Sequence, residues 1–242
     1  MECVMSNFPE KISFFATPAH DCNYLPDQQS TTVFADPALP KNRKVHSLLS
    51  QHGFRRSGEF IYRPDCQKCH ACIATRIPIN DFEPSRGQRR TWKKNQDLTT
   101  RILPATFDLE HFELYQRYLS MRHANGGMDN PTPESYTQFL FSNWSTTHFI
   151  EFRLNKKLAA IAVVDELENA LSAVYTFFDP DLGQRSLGKF AILYEIEFAR
   201  QQGLKWLYLG YWIEACQKMN YKQDYRPQEH YINEQWVRVF EK

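Results

Sequence analysis

The sequence predicts an α+β fold in which helices pack on a mixed β-sheet, preceded by a cysteine-containing N-terminal region. Three patterns predict this fold. Residues 1–80 are short strand-like runs separated by seven prolines. Residues 108–144 carry apolar residues at helical spacing, and residues 147–240 follow the order β-β-β-α-β-α-β. We therefore divide the chain into an N-terminal region, 1–104, and a mixed-sheet domain, 105–242.

The elements follow in order along the chain. One helix is predicted at residues 44–52. Asp108 caps a second helix that extends to residue 122, and Thr132 with Pro133 begins a third that extends to about residue 144. Strands at 147–154, 158–164 and 170–178 form an antiparallel meander, and the helix that follows, at 187–202, ends at Gly203. A strand at 204–210, a short polar helix at 214–219 and a strand at 235–240 complete the domain.

The composition is that of an ordinary globular protein. The chain has 242 residues, with 29 Lys and Arg against 28 Asp and Glu, and 42% of its residues are apolar. These values exclude a disordered chain, a collagen-like repeat, a coiled coil and a disulfide-stapled miniprotein. No stretch approaches 18 consecutive apolar residues, and the pattern of a signal peptide is missing. We therefore expect a cytoplasmic protein that spans no membrane.

The charge is divided unevenly along the chain. Residues 41–101 contain 14 Lys and Arg against 5 Asp and Glu, whereas the remainder contains 15 against 23. The densest part, residues 84–94, combines five cations with one tryptophan, a mixture that suits phosphates and an unpaired base. These residues are Arg86, Arg89, Arg90, Trp92, Lys93 and Lys94. The alternative is a solvated helix face, but the asymmetry favours nucleic acid or a phosphate-rich cofactor as the partner.

Three of the six cysteines form a C-x2-C-x2-C motif, at Cys66, Cys69 and Cys72. Such spacing suits thiolate coordination of zinc or of an iron-sulfur cluster. Cys22, in a polar turn-like segment, is the best candidate for a fourth ligand, with two histidines, at 20 and 70, as substitutes. The alternative is a set of small buried thiols. Disulfides are not expected in a chain without a secretory signal.

Seven blocks of sequence, in order along the chain, carry a resemblance to a known family. They are HDCNYLPD, FRRSGEFIYRPDCQKCHACIATRIP, PSRGQRRTWKKNQDL, RHANGGM, LSAVYTFFDP, RSLGKFAILYEIEFAR and LYLGYWIEACQKMNYK. Together they resemble the aminoacyl-tRNA protein transferases, in particular the bacterial aspartate/glutamate leucyltransferases related to eukaryotic arginyltransferases. The element order likewise resembles a GNAT-type acetyltransferase fold. The C-x2-C-x2-C spacing is the bacterial variety, so zinc, a cluster or no metal remain open.

The resemblance implies a reaction. Such enzymes move an amino acid from its tRNA to the N-terminal amine of a protein that begins with Asp or Glu, which marks that protein for degradation. Leucine is the expected amino acid, with arginine as the alternative. The donor ester is already activated, so no cofactor is required and alignment and oxyanion stabilisation should dominate the rate.

Catalytic candidates lie at the end of the third strand of the meander and in the strand that follows the last long helix. Asp179 is our candidate for orienting or deprotonating the amine, and its alternative role is to cap a turn with Pro180. Tyr175 and Tyr211 are candidate donors to the oxyanion, against the alternative that both belong to the core.

Cations supply the binding candidates. Arg76 is the first choice for the acidic side chain of the acceptor protein, because a guanidinium meets a carboxylate with two parallel hydrogen bonds. Arg122 and His123 are second. For tRNA we expect contacts from the basic segment at Arg89, Arg90, Trp92, Lys93 and Lys94, and from Arg185, Lys189 and Lys218.

Two rival functions fit parts of the sequence. The loop GQRSLG before the helix at 187–202 suits the pyrophosphate of acyl-CoA, which would make the protein an acetyltransferase. The cysteine motif would alternatively serve a non-enzymatic RNA-binding or redox-sensing module.

Overall fold

The computed structural model describes residues 11–122 and 130–239. In the N-terminal half the strands are β1 (Phe14–Ala16), β2 (His20–Asp21), β3 (Gln29–Ser30), β4 (Thr32–Ala35), β5 (Arg55–Ser57), β6 (Phe60–Pro64), β7 (Ile73–Pro78) and β8 (Thr99–Pro104). In the C-terminal half they are β9 (Thr147–Leu154), β10 (Lys157–Glu166), β11 (Ala170–Phe178), β12 (Trp206–Trp212), β13 (Gln228–Ile232) and β14 (Gln235–Val239).

Five α-helices lie within the described residues. They are α1 (Arg43–Gln51), α2 (Arg86–Lys94), α3 (Leu109–Arg122), α4 (Pro133–Leu140) and α5 (Leu187–Gln201). Short 3-10 segments follow at Ile79–Asp81, Pro180–Arg185 and Asn220–Asp224. None of the helices described is long and apolar enough to cross a bilayer.

The predicted helix ends are mostly confirmed by their caps. Asp108 Oδ1 accepts hydrogen bonds from the backbone N–H groups of Glu110 (2.8 Å) and His111 (3.3 Å), which begins α3. Thr132 forms a capping box at the start of α4. Gly203 follows α5 with a φ of +68°, a conformation that glycine adopts without strain. Helix α4 ends about four residues earlier than predicted, because Phe141 is already extended.

The main sheet has eight strands in the order β14-β13-β7-β12-β11-β10-β9-β8. Strands β9, β10 and β11 form the predicted antiparallel meander, whereas β11 and β12 are parallel. A second sheet has the order β1-β4-β6-β5, and β2 pairs with β3. The α+β class with a mixed sheet, predicted from the sequence, is confirmed.

Strands from the N-terminal region enter the main sheet, which the sequence analysis did not foresee. Strand β7 lies between β13 and β12, and β8 forms the edge beside β9. The main sheet thus includes strands from both sides of residue 104, where we placed the boundary between the two domains. That domain boundary stays a prediction. The polar helix predicted at 214–219 is wrong: these residues form turns, and a 3-10 segment begins only at Asn220.

Helices cover both faces of the main sheet. Strand β10 alternates its side chains between them: Ile161 and Val163 join the cluster beneath α3 and α4, while Ala160, Ala162 and Val164 face α5. The second sheet and α1 have a small core of their own. A fully buried ion pair, Arg56 Nε to Asp165 Oδ2 at 2.6 Å, joins β5 to the main sheet.

Candidate active site

The parallel pair β11 and β12 opens into a gap. The two strands pair only where they begin, at Ala170–Ser172 of β11 and Trp206–Tyr208 of β12. Beyond this point each strand continues beside its other neighbour, β11 with β10 and β12 with β7. Diverging strands leave backbone groups without a ladder partner, and crevices at the carboxyl ends of parallel strands commonly bind ligands. We therefore take the gap as the candidate site.

Arg55, from β5 of the second sheet, reaches into this gap. Its Nη2 donates to the backbone carbonyl oxygens of Ala173 (2.9 Å) and Val174 (3.2 Å), which the divergence of β11 leaves available. On the other side the guanidinium lies against Gly210 of β12, where an added Cβ would stand 2.2 Å from Nη1. Gly210 also has a φ of +78°. Only glycine fits this strand position.

Arg55 has no acidic partner among the residues that the structure describes, and it is only half-buried. Arg55 was not predicted as a site residue, because an arginine in a short strand carries no motif. The available signal was the glycine inside the strand LYLGYW, which indicates the close approach of another group.

Lys222 lies on the other side of the gap. Its side chain is 3% exposed, and Nζ donates to the backbone oxygen of Tyr211 at 2.7 Å. Burial, together with the positive charge of Arg55, lowers the pKa of Lys222 to about 7. Two cationic side chains therefore converge on the gap, a suitable environment for a carboxylate or for a developing oxyanion.

Tyr175 of β11 has a hydroxyl that is buried without a hydrogen-bond partner among the described residues. Its ring packs edge-on against Tyr115, Tyr118 and Phe139, and burial raises its pKa. A free hydroxyl is compatible with the predicted role as an oxyanion donor, which remains a prediction.

Tyr211 and Asp179 are already committed to the fold. The Tyr211 hydroxyl donates to the backbone oxygens of Gly53 (2.9 Å) and Tyr62 (3.1 Å), so it joins β12 to the N-terminal half of the chain. Asp179 Oδ1 accepts from the backbone N–H of Asp181 and from Arg117 Nη2 at 2.9 Å. The alternative role of Asp179, capping a turn at Pro180, is the one that the structure supports.

Arg76 is likewise occupied, contrary to our expectation. Its Nε lies 2.6 Å from Glu229 Oε2 on the neighbouring strand β13, and its guanidinium stacks between Trp206 (4.3 Å) and Trp236 (4.2 Å). This arginine fastens β7 to β13 and is not available to a carboxylate from another protein. Arg122 ends α3, but its side chain and His123 lie outside the described residues.

The basic segment folds as α2, with all its cations on one exposed face. Arg86, Arg89, Arg90, Lys93 and Lys94 recur at helical spacing, and none of the five forms an ion pair within the described chain. The predicted stacking role of Trp92 is not supported, since its ring packs inward against Phe190 (5.4 Å) and Tyr194 (6.5 Å) of α5. The exposed cations form what we call the basic face.

Contacts with the segment before α5 hold the basic face beside the gap. Lys94 Nζ donates to the backbone oxygen of Gln184, and Arg185 forms two parallel hydrogen bonds with Asp97, both 2.8 Å. Hydrogen bonds from Arg185 lower the pKa of Asp97. Arg185 and Lys189, which pairs with Asp224 at 3.4 Å, therefore have intrachain partners. Lys218 is exposed and has no ion-pair partner among the described residues.

Four cysteines line one cavity of about 470 Å³, the three of the C-x2-C-x2-C motif and the predicted fourth member, Cys22. Cys22, Cys66, Cys69 and Cys72 line it together with Tyr211 of β12. Burial, with a further contribution from the other three thiols, raises the pKa of Cys72 to about 12. Among the described residues, no group of three or more His, Cys, Asp or Glu side chains is arranged to hold a metal ion. The metal or cluster predicted at these four cysteines stays a prediction.

The gap with its two cations, and the basic face beside it, favour an acyl-group transferase with a polyanionic donor. A family model described as "Arginine-tRNA-protein transferase, C terminus" matches residues 110–232, and its N-terminus counterpart matches residues 20–90. The chain belongs to this family, and it is a transferase.

Curated relatives match nearly the whole chain. It is 51% identical over 235 residues to "Aspartate/glutamate leucyltransferase" of Hahella chejuensis (strain KCTC 2396), which covers 97% of this chain and 100% of the relative. A relative with the same name from Pseudomonas fluorescens (strain Pf0-1) is 49% identical over 227 residues, 94% of this chain and 97% of its own length. A crystal structure of FemX is 9% identical and covers 82% of this chain and 79% of its own, with a TM-score of 0.45.

Proposed function

We propose that the protein transfers leucine from Leu-tRNA to the N-terminal α-amine of cytoplasmic proteins that begin with Asp or Glu, which marks them for degradation. The observation that carries this proposal is the near-full-length identity to relatives named for leucyl transfer to these residues. The geometry of the site supports the same proposal independently, because the cations of the gap suit a charged acceptor and the basic face suits an RNA donor.

The basic face is our proposed contact for the tRNA backbone. Its five cations are exposed and lack acidic partners in the described chain, so they can neutralise phosphates without first breaking an ion pair. Lys94 also contacts the segment before α5, and we propose that the 3′ end of the bound RNA extends from α2 toward the gap. Lys218 is a further candidate for a phosphate contact.

Arg55 takes the role that we first assigned to Arg76. It is the half-buried guanidinium in the gap without an acidic partner among the described residues, so a carboxylate of the acceptor can meet its fork. The donor ester needs an aligned amine and a stabilised oxyanion. Our candidate donors to that oxyanion are the buried amine of Lys222 and the Tyr175 hydroxyl, which lacks a partner among the described residues.

The test offers the purified protein two charged tRNAs and three peptides. Labelled Leu-tRNA or Arg-tRNA is incubated with peptides that begin with Asp, Glu or Ala but are otherwise identical, and mass spectrometry identifies the product. We expect the mass of one leucyl residue on the Asp and Glu peptides and no change in the Ala peptide. Product formed from Arg-tRNA alone would contradict Leu-tRNA as the donor. Acetylation of a peptide in a parallel reaction with acetyl-CoA would contradict aminoacyl transfer as the reaction.

A further inference from the structure

The two faces of the second sheet differ in what covers them. On the inner face, Ala35 and Ile61 are buried in the core that the sheet shares with α1. Residues directly opposite each other on neighbouring strands lie on the same face of a sheet. Phe15 lies opposite Phe34, and Phe34 lies opposite Tyr62, so these three side chains share the outer face. The outer face therefore carries an aromatic side chain on each of three neighbouring strands, β1, β4 and β6.

These aromatic side chains form an open patch. Phe60, two residues before Tyr62 and on the same face, is 49% exposed, and Phe15 is 57% exposed. The ring of Phe34 lies between those of Phe60 (5.9 Å) and Tyr62 (6.0 Å). We call these four residues the aromatic row. A contiguous patch of exposed, large apolar side chains is typical of a surface that binds a partner.

The aromatic row ends at the candidate active site. Arg55 lies opposite Tyr62 in the register of β5 and β6, and its guanidinium reaches the carbonyl oxygen of Ala173 in the gap. The ring of Tyr62 lies 6.2 Å from that of Tyr211 on β12. The row and Arg55 span four adjacent strands, so about 14 Å separates Phe15 from Arg55, the length of about four residues of an extended peptide.

The distribution of charge disfavours RNA on this face. Among the residues of the four strands that share the outer face, Arg55 is the one cation, because Arg56 and Arg63 lie opposite Ile61 and Val33 of the inner face. Sites for single-stranded nucleic acid combine aromatic side chains with a positively charged groove. The cations suited to phosphates lie instead on α2, in the basic face. The aromatic row therefore fits an apolar polypeptide segment better than an RNA strand.

Resting on the proposed function, we propose that the aromatic row binds the segment that follows the first residue of the acceptor protein and selects apolar side chains there. The acidic first side chain meets the fork of Arg55, and the following residues leave the gap over Tyr62 toward Phe15. Apolar side chains are mostly buried in folded proteins. The row therefore favours acceptors whose N-terminal segment is unfolded.

The experiment compares three peptides of equal length and charge that begin with Asp. The first carries Leu-Phe-Leu-Phe directly after Asp, the second carries the same block at its far end, and the third has Gly and Ser in place of the block. For the wild type we expect kcat/KM for leucyl transfer to be about tenfold higher with the first peptide than with the other two, through a lower KM. Equal values for all three peptides would overturn the proposal.

A double variant tests the residues of the row. Phe15→Ser with Phe60→Ser removes the two exposed rings, and the preference for the first peptide should then disappear. This preference is a ratio measured on one enzyme sample, so it does not depend on the fraction of the variant that folds. Leu109→Ser, on α3, removes an apolar side chain that is 61% exposed outside the row and should keep the preference. A preference that survives in the double variant would overturn the assignment to the row.

Binding measurements distinguish the possible occupants. In the double variant the affinity for the first peptide, measured by fluorescence anisotropy, should fall about tenfold, whereas the affinity for Leu-tRNA should stay within about twofold. Loss of tRNA affinity alone would assign the row to RNA, and conversion of a dimer to a monomer in sedimentation would assign it to a second copy of this chain; both results contradict the proposal. If the wild type forms no product with any peptide, the proposed function fails. The anisotropy still decides the row in that case, because equal wild-type affinities for the three peptides would overturn it.

Discussion

The protein contains two sets of polar side chains that differ in their partners: one set is paired within the chain, and the other lacks partners among the described residues. At the junction of the sheets, Arg56 and Asp165 are fully buried and paired, and within the main sheet Arg76 is paired with Glu229. In the gap between β11 and β12, Arg55 lacks an acidic partner and the Tyr175 hydroxyl lacks any hydrogen-bond partner in the described chain. Paired groups hold elements together, whereas unpaired buried groups reduce stability and are retained for chemistry.

Breaking the junction should have the largest effect. Arg56→Ala leaves the carboxyl of Asp165 buried, with Thr147 as its one side-chain hydrogen-bond partner among the described residues, so we expect the free energy of unfolding to fall by about 3 to 5 kcal/mol. Urea unfolding followed by circular dichroism measures this loss. A loss below about 1 kcal/mol would contradict the claim that the paired set stabilises the fold.

Replacing Lys222, a cation of the gap, should raise the free energy of unfolding, whereas replacing Arg56 should lower it. Because burial lowers the pKa of Lys222 from 10.5 to about 7, the folded state carries its full penalty below pH 7, and the penalty disappears as the pH rises toward 10.5. We expect Lys222→Met to raise the free energy of unfolding by about 2 to 4 kcal/mol at pH 6, after its lost hydrogen bond is deducted. The gain should fade toward pH 10. A pH-independent difference would contradict this assignment.

Arg55 and Arg76 offer a matched pair for activity. Arg55→Lys keeps the charge but loses the fork, so kcat/KM for the Asp peptide should fall about 100-fold, roughly 2.7 kcal/mol, at an unchanged melting temperature. Arg76→Lys should lower the melting temperature and leave kcat/KM within about twofold. Steady-state kinetics and thermal denaturation of both variants check this, and the reverse pattern would restore our first assignment of Arg76.

The basic face should give the smallest change. Arg89→Gln with Arg90→Gln removes two exposed cations, so the slope of log affinity for tRNA against log salt concentration should become shallower by about 1 to 2. Exchanging the exposed Lys156 and Lys157 for Gln, at the turn before β10 and at its first residue, removes the same charge elsewhere and should leave the slope unchanged. Filter binding at several salt concentrations measures both slopes, and identical slopes would exclude the α2 pair from the RNA surface.

The sequence predicted some residues of the candidate site and missed others. The cations of α2 and three of the four cysteines were found from spacing, whereas Cys22 was chosen because it lies in a polar, turn-like segment. Arg55 was missed, although the glycine inside the strand LYLGYW indicates the close approach of another group. Arg76 misled us, because nothing near it in sequence reveals Glu229, 153 positions away.

Local pattern was enough to determine the meander β9–β11, the caps at Asp108 and Thr132, and the stop at Gly203, because each depends on residues a few positions apart. Tertiary packing decided the insertion of β7 into the main sheet, the divergence of β11 from β12 and the partner of every arginine discussed above. These outcomes depend on strand pairing and burial between segments distant in sequence, where periodicity gives no information on which side chain finds a partner and which one is left without.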